Sequence, residues 1–211
     1  MVAITHDPLS QPGLNGDANN PSQKRDGMTS PSVGPDQPAD RALIARWLAG
    51  DERAATMLVE RHAPAVARYV SSLGVREDVE DVVQETFVRA FEKLESFRGE
   101  SALRTWLCTI ARNLVRDRAR SLKFERRQVE IEEHHASTEH DPLDGAMAGE
   151  TEARLMQAME TLSPMQRQVF TLRVAEGMAY KEIASVVGST EGAARVHYHN
   201  AMRAIKEFLN E

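Results

Sequence analysis

From Asp40 to Leu122, and again from Glu150 to Phe208, apolar residues return every three or four positions, the period of a helix buried along one face. After Asp51 the set is Ala55, Leu58, Val59, His62, Val66, Tyr69, Val70 and Leu73. Further on it is Val79, Val82, Val83, Phe87, Ala90, Phe91 and Leu94. Aromatics make up only 5% of the chain, whereas large β-sandwich cores lean on aromatic and β-branched side chains. The expected fold class is all-α, with two small helical domains.

Punctuation residues set the expected boundaries. Asp40 can cap a short helix ending at Gly50, and Asp51 can cap the next, which Gly74 ends and in which Pro64 predicts a kink or break. A third helix is expected over about 77–95 and a fourth over about 102–122, separated by the loop 96–101. These four helices make a first domain, 40–122, of a size that folds alone. The second domain, 150–211, contains Ser163-Pro164-Met165-Gln166, a capping serine, a proline at the first helical position and a glutamine that can close a capping box. That helix stops at Gly177. A short helix, Tyr180 to Val187, precedes the turn Gly188-Ser189, and Thr190 caps a last helix to about Phe208.

Charge divides the same way. The net charge of −6 looks wrong for a nucleic-acid binder until it is resolved along the chain. Residues 103–127 carry eight basic residues against Asp117 and Glu125, and residues 128–153 carry eight acidic residues and no basic one. Residues 123–149 read as a flexible, self-repelling acidic linker. The first 40 residues hold six of the nine prolines and no aromatic residue, so 1–39 is expected to be a disordered tail that cannot offset its ordering entropy. No stretch has the apolar length of a signal peptide or a membrane span, which predicts a cytoplasmic protein with no membrane insertion.

A helix, a tight glycine turn and a second helix form the geometry that places the second helix in a major groove. Here Ile183, Ala184 and Val187 would pack the first helix, and Ala194, Tyr198, Ala201 and Ile205 the second. Thr190, Arg195, His197, His199, Asn200 and Arg203 are then left as candidates for phosphates or base edges. A helical hairpin with a solvated polar face fits the same spacing. The fourth helix carries Arg104, Arg112, Arg116, Arg118 and Arg120 with Trp106 and Asn113 interleaved; bases of this kind neutralise phosphates, and an aromatic ring can stack on an unpaired base. Trp106 also falls on the apolar stripe, and taken alone it reads more readily as core, since large apolar residues are usually inside. Asp78, Asp81, Gln84, Glu85 and Glu92 line one side of the third helix, as a solvated face or a partner surface.

Catalytic chemistry is not indicated. His134, His135 and His140 sit in the acidic linker without the rigid surroundings that metal ligands need. Cys108 is the lone cysteine, which excludes an internal disulfide, and reads as a small core residue. No nucleophilic triad, phosphate-cradling glycine loop or carboxylate pair stands out, and no metal or cofactor is implied.

In order, the blocks 78–91 (DVEDVVQETFVRAF), Ser96-Phe97-Arg98-Gly99-Glu100-Ser101 with Arg104-Thr105-Trp106-Leu107 and Ile110-Ala111-Arg112-Asn113, and Leu162-Ser163-Pro164 with Gln166-Arg167, Val169-Phe170 and the turn motif resemble one family. It is the extracytoplasmic-function group of the sigma-70 family of RNA polymerase sigma factors. The resemblance covers about 40–121 and 150–208, as regions 2 and 4. It implies that Asp78, Asp81, Gln84 and Glu85 dock on core RNA polymerase. It implies that Phe97, Arg98, Ser101, Arg104, Trp106, Arg112, Asn113, Arg116 and Arg120 read the −10 element as separated strand. Thr190, Arg195, His197, His199, Asn200 and Arg203 would face the −35 element of promoter DNA, and the linker would thread toward the RNA exit channel. An anti-sigma factor is a further implied partner. The sequence departs from the family where Asn200 and Met202 replace frequent basic residues and Val196 a polar one. The competing reading is a self-sufficient helix-turn-helix regulator that binds DNA without polymerase.

Overall fold

The computed structural model describes residues 37–129 and 150–210, with side chains over 38–124 and 153–210. The expected tail up to residue 36, most of the expected linker and its three histidines lie outside these residues. Two helical lobes result. The first contains α1 (Gln37–Leu48), α2 (Glu52–Ser72), α3 (Val79–Glu92), a 3₁₀ turn at Leu94–Ser96 and α4 (Leu103–Val129). The second contains α5 (Glu150–Glu160), α6 (Pro164–Phe170), a π turn at Thr171–Ala175, α7 (Tyr180–Val187) and α8 (Glu191–Leu209).

Most caps fall where the residue types place them. Asp51 accepts from the Arg53 N–H at the start of α2, Ser163 and Gln166 close a reciprocal capping box on α6, and Thr190 accepts from Ala193 N–H on α8. Gly188 ends α7 in the left-handed region at φ 65°, which a residue with a Cβ adopts only at a cost.

Two local expectations fail for physical reasons. Asp40 does not cap α1, which starts at Gln37; its carboxylate turns inward, accepting from Arg61 Nη1 at 2.9 Å and lying 3.0 Å from His62 Nε2. Burial pushes this carboxyl up, but hydrogen bonds and charge from His62 and Arg61 outweigh it and hold the carboxyl below its ordinary value. Pro64 does not break α2, which runs unbroken from Glu52 to Ser72. Both Pro64 and Glu60, whose carbonyl loses its helical donor, are exposed, so water can satisfy that carbonyl. α4 also runs seven residues past its expected end, to Val129.

Leu58, Val66, Val70, Val82, Phe87, Leu94, Leu107 and Leu114 fill the first lobe's core, and Leu162, Phe170, Ala201 and Ile205 part of the second's. A third cluster joins the lobes, placing Tyr69 of α2 and Cys108 of α4 among Val169, Leu172, Met178, Ile183, Val186, Val187 and Ala194. Cys108 is therefore a core residue of the junction. Burial pushes its thiol up to about 12, which leaves it a protonated packing group.

Candidate nucleic-acid interface

The turn between α3 and α4 builds a cavity of about 200 Å³ lined by residues 96–101 and by Trp106. Phe97 and Trp106 pack at 5.1 Å between centroids, with their planes tilted by 41°. Trp106 is only partly buried, so it both packs against the lobe's core and lines the cavity. Gly99 holds φ 70°, and the Arg41 guanidinium lies 3.5 Å from where a Cβ on Gly99 would stand. Arg41 was not singled out by sequence reasoning, because nothing in its own segment marks it as near residue 99.

The candidates on α4 fall on different faces. Trp106, Asn113 and Arg120 follow one another at seven-residue intervals, two helical turns or roughly 10 Å apart, and Arg116 lies beside Asn113. Asn113, Arg116 and Arg120 are exposed, so this strip continues outward from the cavity. Arg104, Cys108 and Arg112, at i, i+4 and i+8, face the second lobe instead.

At that junction the Glu176 carboxylate, with 1% of its side chain exposed, accepts from Arg68 Nε at 2.8 Å and lies 3.5 Å from Arg104 Nη1. Glu182 accepts from the Ala179 N–H at the start of α7 and from Thr105 Oγ1 of α4, at 3.0 and 3.1 Å. The Arg112 guanidinium approaches within 3.3 Å of the position a Cβ on Gly188 would take, a second reason for glycine there. Two of the proposed −10 contacts, Arg104 and Arg112, are thus engaged by the second lobe. The sequence offered no sign of these junction roles of Glu176 and Glu182, whose partners across the junction lie 72 or more positions away.

Asp78, just before α3, and Asp81 and Gln84 on it are exposed. Glu85 is bound at both oxygens, by Arg118 at 2.6 Å and Arg89 at 2.5 Å, and these hydrogen bonds, that from Arg118 foremost, hold its carboxyl below its ordinary value. Asp78, Asp81 and Gln84 are therefore the more available part of the acidic face.

On α8, Arg195, His199 and Arg203 are exposed, while His197 and Asn200 are partly buried toward one edge. Arg195 is held by Glu191 at 2.5 Å and lies over the Tyr180 ring at 4.6 Å, with Arg173 over the same ring at 4.8 Å. Thr190 spends its hydroxyl on the cap.

An all-helical protein carrying a helix-turn-helix belongs to a class that binds DNA. Sigma-70 region 2 matches residues 58–125, and Sigma-70, region 4 matches residues 152–205. The ECF RNA polymerase sigma factor BldN of Streptomyces coelicolor is 31% identical over 85% of this chain and 69% of its own length. The ECF RNA polymerase sigma-E factor of Haemophilus influenzae is 32% identical over 81% of this chain and 95% of its own. Among solved structures, CnrH in complex with the cytosolic domain of CnrY superposes with a TM-score of 0.57 at 30% identity, covering 82% of this chain and 97% of CnrH. The sigma factor RpoE from Bartonella quintana, in complex with the anti-sigma factor NepR, gives 0.58 at 26% identity over 74% and 96%. The chain belongs to the extracytoplasmic-function group of the sigma-70 family, proteins that bind core RNA polymerase and direct it to promoters.

Proposed function

We propose that the cavity of Phe97 and Trp106 holds a base of the −10 element extruded from the duplex, with Arg98, Ser101, Asn113, Arg116 and Arg120 guiding the strand. The observation carrying this reading is the tilted aromatic pair lining a cavity, followed along α4 by the outward residues Asn113, Arg116 and Arg120. Extruding a base costs a few kcal/mol, and stacking returns about 1–3 kcal/mol per base, enough to hold an opened strand once the pocket exists. Arg104 and Arg112 join this surface when the second lobe moves away. Exposed Asp78, Asp81 and Gln84, with Glu85 behind them, form the docking face for core polymerase, and α8 meets the −35 element through Arg195, His199 and Arg203, flanked by Thr190, His197 and Asn200. The protein acts by binding, without catalysis of its own, in the bacterial cytoplasm where polymerase and chromosome are. An anti-sigma factor is a fitting regulator, as the structurally similar sigma factor RpoE of Bartonella quintana is seen in complex with the anti-sigma factor NepR.

The test is permanganate footprinting of holoenzyme carrying Phe97→Ala or Asn113→Ala on duplex and pre-melted promoters. Both variants should bind duplex promoter and fail to open it, and a pre-melted bubble should restore them. If the bubble restores neither, these residues do not serve strand separation.

A further inference from the structure

Val196 stands 58% exposed on the second turn of α8, on the helix proposed to enter DNA, and the inference rests on that reading. Gly192, Val196, His199 and Arg203 follow at i, i+4, i+7 and i+11 and share one strip. The buried stripe of Ala194, Ala201 and Ile205 lies elsewhere on the helix, so packing does not require an apolar residue at 196. Nothing lies within 4 Å of where a Cβ on Gly192 would be, so the space one turn before Val196 is open. Arg195 is drawn toward Glu191 and Tyr180.

Val196 has no donor or acceptor, so it gains nothing from phosphates or from the polar edges of bases. The one apolar feature displayed in the major groove is the C5 methyl of thymine. Single apolar side chains occur on any surface, so the argument rests on the position. This one stands on the same exposed strip as His199 and Arg203, groups able to bond DNA. We propose that Val196 is a specificity-determining residue that packs against the methyl of one thymine in the −35 element, adjoining the base pair that Arg195 approaches.

Deoxyuridine removes that methyl and leaves every hydrogen-bonding group of thymine in place. Holoenzyme reconstituted with core polymerase is titrated against duplexes bearing its selected −35 element, with each thymine replaced in turn. One position should weaken binding about fourfold, the worth of one buried methyl-sized group. In Val196→Ala, a good helix former at an exposed site, the thymine duplex should bind more weakly and that position should lose its sensitivity. A selected element without thymine, no sensitive position, or equal sensitivity in Val196→Ala overturns the proposal. A scrambled −35 element serves as control. If it binds as well as the selected one, the reading of α8 itself fails; discrimination without the methyl effect removes only the role of Val196.

Discussion

Replacing Glu176 by glutamine should loosen the second lobe from the first. Its carboxylate is buried to 1% and joins Arg68 and Arg104 across the junction, at 2.8 and 3.5 Å. Breaking a fully buried pair costs about 3–5 kcal/mol because the surviving charge is stranded. Here the survivors are less confined, since Arg68 is 51% exposed and Arg104 27%. Both can recover hydration, and the longer contact contributes little. One charge-assisted hydrogen bond remains as the main loss, about 2 kcal/mol, or roughly a thirtyfold shift toward separated lobes. The assay is energy transfer between dyes on cysteines introduced at exposed Glu52 and Glu207, with buried Cys108 left unlabelled. Transfer should fall in Glu176→Gln and further in Glu176→Ala, while helix content stays constant. Unchanged transfer in both variants would refute the idea that this carboxylate holds the lobes together.

Asp81→Arg should abolish co-purification with core polymerase while changing stability by no more than about 0.5 kcal/mol, because the residue is exposed and makes no ion pair among the described residues. Arg195→Ala should relax preference at one −35 position by about 1–3 kcal/mol in a library selection; an even loss across all sequences with a flatter salt slope would instead mark a phosphate contact. Asp40→Asn should destabilise the first lobe by about 1–3 kcal/mol at neutral pH. Because the folded Asp40 carboxyl is held low, its contribution is present above the ordinary carboxylate range and is lost as pH falls below about 4 toward the folded value. Denaturant melts of the two proteins should therefore converge in acid, and parallel curves down to pH 2 would contradict the assignment.

Helix periodicity, the capping residues Asp51, Ser163 and Thr190, and the glycine stops were readable because each depends on neighbours within one or two turns. Asp40 misled because a carboxylate near a helix start satisfies the capping pattern whether it caps or turns inward toward His62, 22 positions away. The lobe junction was not readable for a similar reason. Tyr69 and Cys108 lie on helices whose other faces already pack a core, and periodicity does not say which side meets which partner. On the candidate site, the family resemblance named Phe97 and Trp106, which line one pocket, and helical spacing left Arg195, His199 and Arg203 on the outward face of α8. They did not separate Arg104 and Arg112, engaged by the second lobe, from Asn113 and Arg116, which face outward.

The most direct test is transcription from a randomised promoter library by core polymerase, with and without this protein, alongside mobility shifts with the protein alone. Transcripts should arise from one class of promoters, sharing −10 and −35 elements, only when core and protein are combined, and the lone protein should retain those promoters weakly. Tight, sequence-specific retention by the lone protein, with no effect on the promoters chosen by core polymerase, would contradict the account and point to a self-sufficient regulator.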